Sequence, residues 1–179
     1  MRKRKELHRV KKILFVCHGN ICRSPSAEFI LKHMLGEAGF ETEFEVASAA
    51  THTDVLGWDI YAPAAKKLEE HGIAYESRKA RRITGRDYTY FDIIVGMDQE
   101  NLFYMEELMG ADTDHKFHLL LEFAGMPGVS LKDPWHTKDY ELAWQELYWG
   151  CAGLFTSLTG LSHSPAGHGV RLFPGGCLC

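Results

Sequence analysis

No run of apolar residues in this chain of 179 approaches the length of a membrane span. The earliest, at residues 13–16, is short and has no cleavage-site pattern after it, so a signal peptide is set aside and a cytoplasmic location is expected. Cysteine is scarce: the five residues Cys17, Cys22, Cys151, Cys177 and Cys179 are odd in number, and none lies between 22 and 151. That pattern excludes the disulfide framework of a small secreted domain. Internal repeats are lacking, which sets aside solenoids and arrays. Positive charge is scarce in the body, where residues 13–179 carry 13 Lys/Arg against 23 Asp/Glu, so no nucleic-acid partner is expected. Seven Lys/Arg and one Glu crowd into the first twelve residues. That leader reads either as a contact for a polyanion or membrane surface or, preferably, as a solvated approach to the first strand. The ten histidines are plentiful but ungrouped. Their nearest pair, His115 and His118, has no accompanying ligands, so neither metal nor cofactor is expected.

What is present points to one soluble globular domain, with 45% hydrophobic and 25% charged residues. Strand patterns over residues 12–17, 44–50, 91–95 and 116–121 alternate with helical ones over 24–38, 62–71, 99–109 and 140–158. This alternation predicts an α/β fold, a three-layer sandwich with a four-stranded parallel sheet and helices on both faces. The domain is expected over residues 10–160, with a basic leader at 1–9 and a flexible, Gly- and Pro-containing tail at 161–179.

One stretch carries chemistry: Cys17-His18-Gly19-Asn20-Ile21-Cys22-Arg23-Ser24, followed by Pro25. An apolar strand precedes it and a helical pattern follows. A loop wrapped ahead of a helix N-terminus turns successive N–H groups toward one point, where the helix dipole adds positive potential. Gly19 and Asn20 suit the left-handed backbone such a nest requires. Ser24 is a candidate N-cap and Pro25 fits the first helical position. Arg23 offers a planar fork for two oxygens of a phosphate, and Cys17 in that field is expected as the attacking thiolate. In parallel sheets ligands sit beyond the carboxyl ends of the strands, which is where this loop falls. The combination points to phosphoryl transfer through a cysteinyl-phosphate.

Such a reaction needs a proton for the leaving oxygen and later a base for water. Asp133, in Lys132-Asp133-Pro134-Trp135, can serve both steps, with Trp135 as a flat apolar wall, although the residues alone favour an ordinary Asp-Pro turn. Asp98, at the end of the third strand, reads as an N-cap for the helix that follows, with a place facing the site as the other reading.

With these residues in place the chain resembles the low-molecular-weight protein-tyrosine phosphatases. The match runs through the Cys17–Pro25 loop, Ala47-Ser48-Ala49, His71-Gly72-Ile73, Val95-Gly96-Met97-Asp98 and Asp133-Pro134-Trp135, over about residues 10–160. The resemblance implies a phosphotyrosine phosphatase I-like fold with flavodoxin-like winding. It implies Cys17 as nucleophile, Arg23 as phosphate clamp and Asp133 as general acid, then base. It also implies a substrate pocket formed by His18, Gly19, Asn20, Ile21, Cys22, Ser24 and Trp135, and a hydrogen-bonded loop support of Asn20, Ser24, Ser48 and His71. Cys22 resembles a second loop cysteine able to form a reversible disulfide with the nucleophile. The implied partners are a phosphotyrosine-containing protein and phosphate- or sulfate-type anions, for a monomer or weak dimer. The chain departs from the family at Ala50, commonly Gly, at residues 51–58, which normally help to form the pocket rim, and at His136, often Tyr.

Relatives on the same fold offer other activities. Arginine phosphatases similar to this family carry Thr where this chain has Ile21, which inclines the reading to tyrosine. Arsenate reductases relay electrons through mid-chain cysteines that are missing here, unless Cys177 and Cys179 substitute. A silent phosphotyrosine-binding module would need neither the thiol nor the acid.

Overall fold

The computed structural model describes residues 9–163. The basic leader through His8 and the tail from Ser164, with Cys177 and Cys179, lie outside the described residues. Four strands, β1 (Lys11–Cys17), β2 (Phe44–Ala50), β3 (Ile93–Gly96) and β4 (Phe117–Leu119), form one sheet in the order β2-β1-β3-β4. Every pairing is parallel, with Phe15 opposite Ser48 on one side and Val95 on the other. β1 is central and buried on both faces, which is why Ile13, Leu14, Phe15 and Val16 run apolar without alternation.

The helices cover both faces. α1 (Arg23–Glu37), α2 (Ala62–Glu70) and α6 (Tyr140–Thr159) share a core with Ile13, Phe15 and Val95. α4 (Gln99–Met109) buries Met105 against Leu14, Val16 and Ile94 on the other. Burying each such side chain contributes roughly 1.5–3 kcal/mol, so the two cores hold the carboxyl ends of β1, β2 and β3 in fixed register. α6 is drawn tightly against the chain after β4: a Cβ on Gly153 would stand 1.9 Å from the Phe123 carbonyl oxygen, so only glycine allows this approach.

Three elements depart from the sequence expectation. The fourth strand ends at Leu119 because the chain turns into a 3-10 segment, Leu120–Ala124. α3 (Gly85–Tyr90) is too short to show a helical period and is held by its capping box, in which the Thr84 side chain and Asp87 satisfy each other's backbone. α5 (Pro134–Thr137) occupies what reads as loop, with Pro134 in its first turn and Asp133 as N-cap.

Candidate active site

The loop between β1 and α1 is shaped by Asn20, whose φ of 58° is left-handed. Asn20 is fully buried, and its side chain and backbone are wired on every side. Its Nδ2 donates to Ser24 Oγ and to Ser48 Oγ, both at 2.9 Å. Arg78 Nη1 donates to its carbonyl at 2.8 Å, Arg78 Nη2 to its Oδ1, and the Arg81 N–H reaches the same Oδ1 at 3.3 Å. Ser48 in turn donates to Glu28 on α1, whose other oxygen takes Lys32 at 2.6 Å. These bonds compensate the cost of a non-glycine residue at positive φ.

Two sequence expectations for the loop are corrected here. Gly19 is not left-handed; it is needed for closeness, since a Cβ would stand 2.9 Å from Val55 Cγ2. Ser24 is not the N-cap. Cys22 occupies that position, α1 starts at Arg23, and the Ser24 hydroxyl turns inward to lie 3.0 Å from Cys17 Sγ. Cys17 is 3% exposed, and its sulfur also accepts from the Asn20 N–H at 3.3 Å. Ser24 Oγ also donates to the Ala49 carbonyl at 3.4 Å, and in its contact with the sulfur either atom can be the donor.

Arg23 is almost wholly buried beneath the loop. Its Nη2 donates to Asp133 Oδ2 at 2.6 Å and its Nη1 to Asp98 Oδ2. Burial opposes the guanidinium charge, but Cys17, Asp133 and Asp98 outweigh it and hold the pKa above its ordinary value. Asp98 therefore does two things at once: its other oxygen caps α4 by accepting from the Asn101 N–H at 2.7 Å. Asp133 is positioned by the Trp135 N–H, which donates to Oδ1 at 3.0 Å, and its loop is tied to β3 by the bond from the Leu131 N–H to the Met97 carbonyl at 2.8 Å.

A pocket opens over Cys17, walled by Ile21, Val55, Trp135 and Asp133, with His18 and Asp54 at its mouth. Trp135 is 42% exposed, its ring tilted against Tyr61 at 5.2 Å and under Lys138 Nζ at 4.9 Å. Cys22 lines the same pocket. Burial, Cys17 and Asp133 push its thiol up to about 12, so it is protonated at neutral pH.

The structure brings Cys17, Arg23 and Asp133 together with the loop residues and Ser48. It puts His71 elsewhere. His71 follows α2, and its ring lies flat on Trp144 at 4.0 Å, leaving the place beside Asn20 to Arg78. Arg78 had no distinguishing sequence signal, because it sits in a basic run, residues 78–82, that reads as solvated surface. Glu28 was hidden for a similar reason: an acidic residue on a helix is usually exposed, and here it is buried.

The histidine pair singled out by spacing is also not the one that gathers ligands. His118 bonds Glu122, and His115 is a turn residue with φ 53°. Instead His18, beside the nucleophile, stacks on His52, their rings 3.8 Å apart and within 10° of parallel. Burial and the neighbouring His18 hold the His52 imidazole below its ordinary value.

Geometrically, then, a buried thiol, a guanidinium and a carboxylate line one pocket with apolar walls, a layout that suits displacement at a tetrahedral oxyanion. The sequence of residues 12–162 matches the model of a family described as low molecular weight phosphotyrosine protein phosphatase. The low molecular weight protein-tyrosine-phosphatase YfkJ of Bacillus subtilis is 32% identical over 151 residues, 82% of this chain and 94% of that protein. Its crystal structure superposes with a TM-score of 0.81 at 29% identity, covering 85% of this chain and 96% of the other. The low molecular weight phosphotyrosine protein phosphatase of Gallus gallus is 32% identical over 141 residues, 76% of this chain and 89% of its own. A Drosophila arginine phosphatase also shares the fold, with a TM-score of 0.73 and 28% identity over 83% of this chain and 98% of that one.

Proposed function

The chain belongs to the low molecular weight phosphotyrosine protein phosphatase family, and we propose that it hydrolyses phosphotyrosine in proteins, and aryl phosphate monoesters, through a cysteinyl-phosphate. The observation that carries this reading is Cys17 Sγ, held by Ser24 Oγ at 3.0 Å and the Asn20 N–H at 3.3 Å, in the same pocket as the Arg23–Asp133 pair. The Cys17 thiolate attacks phosphorus while the loop N–H groups and Arg23 hold the equatorial oxygens. Asp133, protonated, gives its proton to the departing phenolic oxygen. A water then attacks the phosphocysteine, Asp133 takes the proton back, and inorganic phosphate leaves with Cys17 regenerated as thiolate. For this cycle Asp133 must exchange Arg23 for the substrate oxygen, and the short hop is consistent with its place at the edge of the pocket. Ile21, Val55 and Trp135 supply faces and edges on which a phenyl ring packs.

Three alternatives are weighed against this one. The arginine phosphatase neighbour keeps phosphoarginine in play, and the apolar Ile21 at the pocket wall favours an aromatic group instead. Arsenate reduction needs further accessible thiols, whereas Cys151 is wholly buried, with its Sγ 3.6 Å from the Ala27 carbonyl. A binding module has no use for a carboxylate poised beside the thiol.

The reading extends to one catalytic domain over residues 10–160, working as a monomer or weak dimer. A cytoplasmic setting fits the few, unevenly placed cysteines of the sequence. No helix among the described residues is long and apolar enough to cross a membrane. The test compares rates on phosphotyrosine, phosphoarginine and phosphoserine peptides, with arsenate reduction as control. Phosphotyrosine should lead without added metal; faster phosphoarginine turnover, or activity only after a divalent ion is added, would overturn the assignment.

A further inference from the structure

At the mouth of the pocket, where His18 of the Cys17 loop meets the end of β2 and the start of α4, two imidazoles and a carboxylate converge. One ligand atom from each of His18, His52 and Glu100 lies within 4.8 Å of the others. We propose that these three residues form a binding site for a divalent transition ion of the zinc class, separate from the phosphoryl-transfer chemistry.

The backbone arranges the set. The His52 N–H donates to the His18 carbonyl at 3.0 Å and the Thr51 N–H to the Cys17 carbonyl at 2.9 Å, so the end of β2 is fastened alongside the start of the phosphate loop. Glu100 comes from the first turn of α4, and Tyr104, one turn later, sets its ring edge-on to His52 at 4.5 Å. Each histidine also has an outer partner. His18 Nε2 pairs with Asp54 Oδ2 at 2.7 Å, and His52 Nδ1 bonds Thr51 Oγ1 at 2.8 Å. A second ring nitrogen fixed by a carboxylate or hydroxyl is how metal-ligating histidines are usually oriented.

Two imidazoles and one carboxylate form the donor set of many three-ligand zinc sites, which leave a fourth position open. Tetrahedral bonds of about 2.0–2.1 Å place ligand atoms ~3.4 Å apart, so a modest contraction closes the set. The stacked rings must splay to converge, and Glu100, exposed on its helix, is free to follow. Arg82, whose Nε bonds the Thr51 carbonyl at 3.1 Å, adds positive charge nearby, offset by Asp54 and Glu100. Borderline ions that prefer nitrogen suit this site better than Mg²⁺ or Ca²⁺, which prefer oxygen.

The test uses the full chain with Cys17, Cys177 and Cys179 changed to Ser, so that these thiols cannot capture the ion. Zn²⁺ is titrated against a chromophoric chelator and Co²⁺ is followed by absorption. The expected result is one ion per chain with no thiolate-to-cobalt band, and an affinity at least about tenfold weaker in His52→Ala and reduced in Glu100→Gln. Glu100→Gln, at an exposed position, keeps the test valid if the histidine variant misfolds. Unchanged affinity in these variants, or a thiolate band, overturns the proposal. In the otherwise native chain with chelator present, Glu100→Gln should leave aryl phosphate turnover unchanged, so failure of the ion site is distinguishable from failure of the phosphatase reading.

Discussion

Asn20, in the loop beneath the floor of the pocket, is fully buried and bonded to Ser24, Ser48, Arg78 and Arg81, whereas Trp135, at the rim, stays 42% exposed and meets Tyr61 and Lys138 through its ring. The floor is over-determined. Its strained residue persists because each polar atom around it has a partner, and the elements that supply those partners are anchored in two apolar cores. The rim is a set of side chains leaning on one another over open solvent. A pocket built this way fixes the reaction on its floor and leaves the choice of leaving group to its walls.

That contrast can be broken by substitution, beginning at the floor. Cys17→Ser should reduce p-nitrophenyl phosphate turnover by on the order of 10³-fold or more while inorganic phosphate still binds, as measured by steady-state rates and isothermal titration. Asp133→Ala should slow an alkyl phosphate by roughly 10²–10⁴-fold, and p-nitrophenyl phosphate less, because its good leaving group needs the proton less. Equal losses on both esters would remove Asp133 from the acid role.

Arg78→Met probes the wiring rather than the chemistry. It strands the Asn20 carbonyl and leaves Oδ1 with only the Arg81 N–H at 3.3 Å, and should lower stability by about 1–3 kcal/mol in urea titrations and reduce kcat with little change in KM. Trp135→Ala should do the reverse, raising KM for aryl phosphates by about tenfold, the worth of one well-packed aromatic contact, with unfolding unchanged. If Trp135→Ala proved as destabilising as Arg78→Met, the distinction between wired floor and loose rim would fail.

The smallest effect separates the two loop cysteines. With the Cys22 thiol pushed up to about 12, it is protonated below that pH and gains reactivity only as the pH rises toward it. Iodoacetate near neutral pH should therefore label Cys17 ahead of Cys22, as read by peptide mass spectrometry. Equal labelling at neutral pH would show that Cys22 is less buried than it is here.

Some elements were legible because local patterns and tertiary context agree. α4 runs over Gln99–Met109 as read, bracketed by the Asp98 cap and Gly110. β2 matches residue for residue. The chain after Leu119 misled because its apolar run suits a buried 3-10 turn as well as a strand. α3 and α5 are too short to leave a period, and only their caps mark them. In the site, Cys17 and Arg23 stood out by residue type and spacing, and Asp133 only through the family resemblance. Arg78 and Glu28 were not, and the site-facing place of Asp98 was only the second reading, since what decides all three is contacts made across the fold.

By itself the sequence determined the alternation of strand and helix, the Cys17–Arg23 loop at the end of the central strand, and the thiol and guanidinium that begin and end it. These are local matters: periodicity, caps, and residue types tied to one chemistry. Only the tertiary structure decided which residues hold that loop in shape, that Ser24 turns to the sulfur instead of capping its helix, and that His18 meets His52 and Glu100. The partners in those contacts come from segments tens of residues apart, and no local pattern records a distance that only the folded sheet sets.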